Sequence, residues 1–230
     1  MSEPLVSVVM PVHDGERYIG EALESVLAQP YDSLEVVVID DGSTDRSATI
    51  AASYGRRVRV ISQPASGIGA ARNQGVAEAH GDCVAFLDAD DLWEPDTLPQ
   101  RVAALEHADL VFGRVRQFVC PELAAADAAR IRCPEGLHPG YLSGAMIARR
   151  EAFELVGRFR EDLRVGEFVD WMTRARDGGL RELLLDDHVL SRRLHDANQS
   201  VRQRQAMRDF ALVMKASLDR RRAQAEGVDA

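Results

Sequence analysis

The feature that most restricts the fold of this chain is a strand–turn–helix pattern that occurs three times before Gly81. Runs rich in Val and Ile predict strands at Val6–Met10, Glu35–Ile39 and Val58–Ser62. Each strand leads through a turn into apolar residues at helical spacing, and a fourth strand follows at Cys83–Leu87. Strands that alternate with helices in this way predict an α/β fold with a mostly parallel central sheet flanked by helices.

The rest of the chain continues with less regular elements, and we expect residues 1–230 to form a single domain. The region from 121 to 138 is predicted to be a surface loop with a short helix. The C-terminal helix is predicted to have an apolar face of Met207, Phe210, Ala211, Met214 and Leu218. The other predicted elements are helix Leu98–Leu105, strand Leu110–Val119, strand Leu142–Ala148, helices Arg150–Val156 and Val169–Asp177, edge strands within Arg181–Leu194, and helix Ser200–Gln224.

Polar residues stand at the end of three predicted strands, at Pro11–Asp14, Asp40–Asp41 and Asp88–Asp91. Ligands of open α/β sheets bind outside the carboxyl ends of the strands. The three segments are therefore expected to converge on one binding site. Asp14 is also predicted to be the N-cap of the first helix.

The stretch from Asp82 to Asp96 is unusually acidic, since it contains six carboxylates and no Lys or Arg. Carboxylates packed this closely repel one another unless they share a cation. Mg²⁺ prefers oxygen ligands and often binds one or two carboxylates together with substrate phosphates. We interpret the stretch as a metal and phosphate site; the alternative, capping of the helix after Trp93, needs only one acid.

Net charge and cysteine content exclude some classes of function. The formal charge is 28 minus 37, or −9, which argues against nonspecific nucleic-acid binding. The three cysteines have no CxxC spacing, which argues against a disulfide scaffold or a cysteine zinc site. No signal peptide and no apolar run of about 18 residues is present, so we predict a cytoplasmic protein. Arg220–Arg222 leaves peripheral membrane contact open as the alternative to a solvated helix end.

Four blocks of the sequence resemble the family 2 glycosyltransferases, which have the Rossmann-like GT-A fold. The blocks are SVVMPVHDGERYIGEALESVLAQ, VVVIDDGSTD, GIGAARNQGVAEAHGDCVAFLDADD and RRLHDANQS. The resemblance implies a metal-dependent, inverting transferase that moves a sugar from a nucleotide-diphospho-sugar, with a UDP-sugar as the first choice. The acceptor could be a glycan, a lipid, a peptide or a small metabolite, and the sequence does not choose among them. It also leaves open whether the protein forms a homodimer.

The resemblance also divides the chain and assigns its acids. Residues 5–93 would bind the nucleotide-sugar, 94–200 the acceptor, and 201–230 would form a C-terminal helix and tail. Asp88-Ala89-Asp90 matches the DxD motif, in which Asp90 binds Mn²⁺ or Mg²⁺ and Asp88, with Ala89, approaches the ribose or a metal water. Three further acids of the stretch are predicted to be capping or surface residues: Asp91, Glu94 and Asp96.

His195 matches a family histidine that completes the metal shell or touches the diphosphate. Neutral imidazole suits Mn²⁺ better than Mg²⁺. The alternative is a histidine of the core or surface without a ligand. Arg192 and Arg193, which precede it, are candidates to neutralise phosphate or an anionic acceptor.

Positions for the nucleotide follow from the same resemblance. Pro11, Val12, His13 and Asp41 match residues that hold base and ribose, and a carboxylate can accept a hydrogen bond from a base imide. Arg72 lies in a GxxxARN segment and faces the nucleotide in relatives; pairing with a nearby carboxylate is the alternative. An Asp-rich turn without a ligand remains the alternative for the segment after Ile39.

The segment Gly166–Trp171 departs from the family pattern. Relatives carry the general base where this chain has Phe168. Asp170 or Glu167 is predicted to take over that role, with a slight preference for Asp170, because an inverting transferase needs a base for the acceptor's proton. Both acids would also suit a helix start. The alternatives are a non-catalytic nucleotide-sugar-binding module and a nucleotidyltransferase, which is disfavoured because the first strand lacks a glycine-rich, Arg-containing loop.

Overall fold

A computed structural model describes residues 3–195 of this chain and positions 209, 212, 213, 215–217, 219 and 220. Strands and helices alternate along the described part, with 3-10 turns at Gly55–Arg57 and Ser143–Ala145. The strands are β1 Val6–Val12, β2 Leu34–Asp41, β3 Val58–Gln63, β4 Cys83–Phe86, β5 Leu92–Trp93, β6 Leu110–Val119, β7 Leu137–Pro139, β8 Ile147–Arg149 and β9 Glu182–Leu194. The helices are α1 Ile19–Leu27, α2 Ser47–Ala52, α3 Ile68–Glu78, α4 Leu98–Ala104, α5 Ala125–Ala128, α6 Arg150–Val156 and α7 Glu167–Asp177.

The strands of the described part form one sheet in the order β3-β2-β1-β4-β8-β6-β9-β5, with β7 paired to β6. From β3 to β4 all neighbouring strands are parallel. β8 is antiparallel to both β4 and β6, so the sheet becomes mixed at this strand. The predicted α/β class is therefore confirmed, with a parallel sheet from β3 to β4, and a mixed extension follows it in which β6 and β9 are again parallel.

Helices cover both faces of the sheet because the central strands bury both of theirs. Every residue of β1 is buried. Val8 and Met10 pack in one apolar cluster with Ile19 of α1, whereas Val9 belongs to a second cluster that contains Trp171 of α7. This burial on two sides explains the near-continuous Val and Ile runs in the sequence.

The predicted strand Leu142–Ala148 is wrong in its first half. Ser143–Ala145 is a 3-10 turn, and β8 starts only at Ile147. The Ser143 hydroxyl accepts a hydrogen bond from Arg72 Nη2 (2.8 Å), and the Gly144 carbonyl accepts one from Trp93 Nε1 (2.8 Å). The Trp93 side chain thus occupies a backbone carbonyl that a strand would have paired, and Arg72 holds the Ser143 side chain beside it.

The predicted N-cap role of Asp14 is also wrong. Helix α1 begins at Ile19, after Tyr18, and has no side-chain cap. Asp14 has a positive φ of 49°, and its carboxylate accepts hydrogen bonds from the backbone N–H (2.7 Å) and the hydroxyl (3.2 Å) of Thr44. It joins the turn after β1 to the turn after β2.

The C-terminal half of the chain differs from the predictions in two further details. β9 is paired on both sides, with β6 and β5, so it is not an edge strand. The described positions between 209 and 220 are helical, as predicted, but the five residues of the predicted apolar face lie outside the described residues. Within the described part, no helix has the length and apolarity required to cross a membrane.

Candidate active site

Three of the predicted polar segments meet at the carboxyl end of the parallel strands. Val12 of β1 pairs in register with Asp40 of β2, and Val9 pairs with Phe86 of β4. Leu87, directly before the acidic loop, donates its N–H to the Val9 carbonyl (3.1 Å). The turn after β1, the end of β2 and the loop after β4 are therefore neighbours, as the sequence predicts.

The predicted nucleotide-binding residues surround a loop that Asp41 organises. Pro11 and Val12 are buried in β1, whereas the His13 side chain is 54% exposed and its Nδ1 lies 2.7 Å from the Asp41 carbonyl oxygen. The Asp41 carboxylate accepts hydrogen bonds from Gly67 N (2.8 Å), Ser66 N (2.8 Å) and Gln63 Nε2 (2.7 Å). These three hydrogen bonds fix the backbone at the start of α3. The His13 imidazole, which is more than half exposed, faces solvent.

The acidic loop packs closely against the turn after β1. A Cβ added at Gly15 would lie 2.7 Å from Cγ2 of Val12 and 3.7 Å from Cβ of Ala89. A side chain at position 15 would collide with Val12 within the turn, whereas 3.7 Å from Cβ of Ala89 is an ordinary van der Waals contact. Ala89 is therefore a buried packing residue, and its neighbours Asp88 and Asp90 keep side chains that are 40% and 28% exposed.

Asp91 is neither a capping nor a surface acid, which corrects the prediction. It is 4% exposed, and its carboxylate accepts the N–H of Arg193 (2.9 Å). Burial, together with the charges of Asp90 and Asp88, raises the pKa of the Asp91 carboxyl well above its usual range. Glu94 is not a simple surface acid either, because it accepts the Ser191 hydroxyl at 2.6 Å. Asp91 and Glu94 are thus both bonded to residues of β9.

His195 and Asp90 form a pair suited to a divalent cation. His195 Nε2 lies 2.9 Å from Asp90 Oδ2, and the imidazole is held against the Tyr18 ring with a centroid distance of 4.9 Å. Two ligands at right angles, each about 2.1 Å from a cation, are separated by about 3 Å. Among the described residues, no group of three His, Cys, Asp or Glu side chains could hold a metal ion. A cation here would need oxygens from elsewhere, as phosphates supply for Mg²⁺.

The buried side chain of Arg193 links the acidic loop to α1. It is 4% exposed, its Nε donates to the Asp90 carbonyl (3.0 Å), and its Nη2 bonds to the Glu21 carboxylate. Its guanidinium also lies 4.8 Å from the centroid of the Tyr18 ring. The predicted role of Arg193 in neutralising phosphate is not supported by these contacts, because they hold the guanidinium within the protein.

Arg72 connects the acidic loop to the segment with the base candidates. Its side chain is 4% exposed, and Nη2 donates to Asp88 Oδ1 (2.8 Å) and to the Ser143 hydroxyl (2.8 Å). Nη1 bonds to Glu167 Oε1. Burial lowers the pKa of Arg72, but the charges of Asp88 and Glu167 outweigh this effect and raise that pKa above its usual value. The predicted alternative, pairing with a carboxylate, is thus what the structure contains.

The two base candidates have different surroundings. Asp170 is 1% exposed and accepts the Arg174 Nε (2.8 Å), one helical turn further along α7. Glu167 is 6% exposed and is bonded through Arg72 to the acidic loop. Phe168 is buried in the apolar cluster of Trp171. Of the two acids, only Glu167 is connected to the loop of Asp88 through a single side chain.

Sequence reasoning missed three residues that shape this site: Ser143, Tyr18 and Glu21. Ser143 completes the hydrogen bonds of Arg72, and Tyr18 and Glu21 hold His195 and Arg193. The Ser143-Gly144 pair interrupts an apolar run and was the available signal for a turn. Tyr18, buried just before α1, and Glu21, on the surface of α1, show no local pattern that predicts these contacts.

The fold of this chain matches that of two solved proteins in complex with nucleotide-sugars. A mannosyltransferase from Pyrobaculum calidifontis, PcManGT, in complex with GDP-Man and Mn²⁺, superimposes with a TM-score of 0.72 and 21% identity over 95% of this chain and 65% of that chain. S. aureus TarS 1-349 in complex with UDP-GlcNAc superimposes with a TM-score of 0.68 and 23% identity over 84% of this chain and 60% of that chain. The fold is the GT-A fold of glycosyltransferases.

The family model described as glycosyl transferase family 2 matches residues 7–156, which are more than half of the chain. This protein belongs to glycosyl transferase family 2.

Curated relatives agree with that assignment. An uncharacterized glycosyltransferase of Rickettsia typhi, RT0329, is 38% identical over 106 residues, which are 46% of this chain and 33% of the relative. An uncharacterized glycosyltransferase of Haemophilus influenzae is 40% identical over 106 residues, which are 44% of this chain and 42% of the relative. The matched segments thus span less than half the length of these relatives.

Proposed function

We propose that this protein transfers a sugar from a nucleotide-diphospho-sugar to an acceptor with the help of a divalent cation, with inversion at the anomeric carbon. The observation that carries the proposal is the pair of Asp90 and His195, whose Oδ2 and Nε2 lie 2.9 Å apart, beside Asp88 and Asp91 of the same acidic loop. Asp90, Asp88 and His195 are the proposed metal-binding residues, with Mn²⁺ favoured over Mg²⁺ because of the imidazole. When bound, the cation would stabilise the negative charge of the leaving diphosphate.

The donor is proposed to lie over the first half of the chain, residues 5–93, with the acceptor over residues 94–200. Pro11, Val12, His13 and Asp41 would line the base and ribose, with the exposed His13 ring available for stacking. Asp88 and Ala89 would lie near the ribose. Solved proteins of the same fold bind UDP-GlcNAc and GDP-Man, so both classes of donor should be tested, UDP-sugars first.

We propose Glu167 rather than Asp170 as the general base. A base must reach the acceptor hydroxyl at the donor, and Arg72 joins Glu167 to Asp88 at the donor loop. Asp170 is already engaged by Arg174 and is buried. Arg72 would hold the Glu167 carboxylate in position and neutralise part of the charge around it.

Calorimetry and a hydrolysis assay test this function together. With Mn²⁺ present, a panel of UDP- and GDP-sugars should include one that binds and is slowly hydrolysed, since water can replace the acceptor. Glu167→Gln should keep donor binding and lower turnover by about a hundredfold or more, as expected for loss of a general base. Asp170→Asn should lower turnover much less. Equal turnover of the Glu167→Gln variant and the unchanged protein would overturn the assignment of the base.

A second function, nucleotide-sugar binding without transfer, is favoured by one observation. Phe168 replaces the family's base and is buried, so no carboxylate stands at that position. Donor binding without hydrolysis or transfer to any acceptor would support this alternative. Family membership argues against the nucleotidyltransferase, which would consume a triphosphate. Cytoplasmic location, peripheral membrane contact and a homodimer stay predictions.

A further inference from the structure

Residues 159–166 lead into α7 and therefore set the position of Glu167. Hydrogen bonds hold this segment at both of its ends. On one side, Asn73 of α3 bonds both backbone groups of Phe159, through Nδ2 to the carbonyl (2.9 Å) and through Oδ1 from the N–H (2.8 Å). The other end of the segment reaches α7 through Gly166, which has a φ of 84° and no side chain to cap the helix. The backbone N–H groups of Arg164 and Val165, just before this glycine, need acceptors from elsewhere.

Asp209 supplies that acceptor from the C-terminal helical segment. Its Oδ2 accepts the N–H of Arg164 (3.1 Å) and the N–H of Val165 (3.3 Å). The same segment contacts the other end of α7, where Arg220 donates to Asp177 Oδ2 (3.0 Å) and to the Thr173 hydroxyl (3.1 Å). Between these contacts, Val213 and Ser217 are buried. The segment therefore runs alongside α7 and in the same direction.

We infer that Asp209 is a positioning residue for Glu167. Its carboxylate fixes the turn that leads through Gly166 into the first residue of α7, and Glu167 in turn reaches Arg72 and the acidic loop. Hydrogen bonds to a charged acceptor are among the stronger ones in proteins. The inference rests on the proposed function for its catalytic consequence, since Glu167 matters to turnover only if it acts in the transfer.

The test compares three variants of the full chain: Asp209→Ala, Asp209→Asn and Arg220→Met. Asp209→Ala removes the acceptor, whereas Asp209→Asn keeps one oxygen that can accept both N–H groups. Arg220→Met loosens the same segment at the far end of α7 and leaves the turn at 164–166 intact, so it controls for weaker helix packing. Two readouts need no activity: amide hydrogen exchange at residues 164 and 165, and the NMR signal of the Arg72 guanidinium.

The expected result is faster exchange at 164 and 165 and a shifted Arg72 signal in Asp209→Ala, with little change of either in Arg220→Met. Turnover of the donor should fall about tenfold to a hundredfold in Asp209→Ala while the Kd of the nucleoside diphosphate with Mn²⁺ stays within about twofold, because a small displacement of a catalytic group costs this much. Asp209→Asn should restore most of the exchange protection and turnover.

Two results would overturn the inference. The first is exchange and an Arg72 signal that change equally in Asp209→Ala and Arg220→Met, which would indicate general loosening. The second is a large loss of turnover in Glu167→Gln together with unchanged turnover in Asp209→Ala. If instead the unchanged protein shows no turnover, the proposed function fails, and the exchange and Arg72 signals still decide whether Asp209 positions the turn.

Discussion

Two buried arginines of this protein, Arg72 and Arg101, have opposite surroundings. Arg72 is 3% exposed and donates to Asp88, Glu167 and Ser143. Arg101 of α4 is 0% exposed, and its Nη1 and Nη2 have no hydrogen-bond partner among the described residues. Its guanidinium lies 4.1 Å from the centroid of the Trp93 ring.

The pKa values of the two guanidinium groups are shifted in opposite directions by these surroundings. Burial lowers the pKa of Arg101 to about 9, and no acid within the described part of the chain opposes this shift. At Arg72 the same penalty of burial is outweighed by Asp88 and Glu167. The paired guanidinium of Arg72 joins parts of a site. Arg101 donates from Nε to the Thr97 carbonyl (3.4 Å), but the lack of acceptors for Nη1 and Nη2 among the described residues makes its burial unfavourable for the stability of the fold. The comparison predicts that the two positions respond to the same substitution with opposite signs.

The largest effect is expected for Arg72→Met. Removing one partner of a buried charge pair costs about 3–5 kcal/mol, because the remaining charge, here Glu167, is left buried and unpaired. Denaturant unfolding measures this free energy, and donor turnover should also be lost. As a control, Arg46→Met removes an exposed pair with Glu16 and should leave stability nearly unchanged. If Arg72→Met were as stable as the control, the buried pair of Arg72 and Glu167 would not contribute to stability as proposed.

Arg101→Met is expected to stabilise the protein. Two unpaired N–H₂ groups of a buried guanidinium lose their hydration without compensation, a penalty of about 1–3 kcal/mol that methionine avoids while it fills similar space. The lost contact with Trp93 offsets part of the gain, so the free energy of unfolding should rise by about 1 kcal/mol. A loss as large as that of Arg72→Met would show that Arg101 has a partner that stabilises it.

The smallest effect is a pH dependence of the gain from Arg101→Met. Folding lowers the pKa of Arg101 from the usual value of an arginine to about 9, so between these two values the unfolded chain holds a proton that the folded chain has released. Stability of the unchanged protein therefore rises with pH in this window relative to the variant. The difference in unfolding free energy between the two proteins should shrink above pH 9. A constant difference up to pH 10 would contradict the low pKa.

Local patterns explain how much of this could be predicted. The β1–β4 repeat and the convergence of strand ends follow from periodicity and the rule for parallel sheets, so the sequence predicts them well. The bond from Arg72 to Glu167 joins residues 95 positions apart, and no local pattern specifies it. The burial of Asp91 likewise depends on Arg193, which reaches it from β9. Such contacts arise from tertiary packing.

Arg101 is a different case, because its burial had a local signal. Leu98, Arg101 and Leu105 follow one another at helical spacing, so Arg101 stands on the apolar face of α4. The pattern predicts the burial but not the lack of hydrogen-bond acceptors for Nη1 and Nη2. That lack depends on how Trp93 and the surrounding residues fill the space.

The proposed function depends most on one property of the molecule: the loop of Asp88 and Asp90 would hold a cation together with the diphosphate of the donor. The most direct measurement is calorimetric titration of UDP and GDP into the protein with Mn²⁺ and with EDTA, repeated for Asp90→Ala. We expect binding of at least one nucleotide that requires Mn²⁺ and is lost in Asp90→Ala. Equal affinity of Asp90→Ala and the unchanged protein in the presence of Mn²⁺ would contradict the claim.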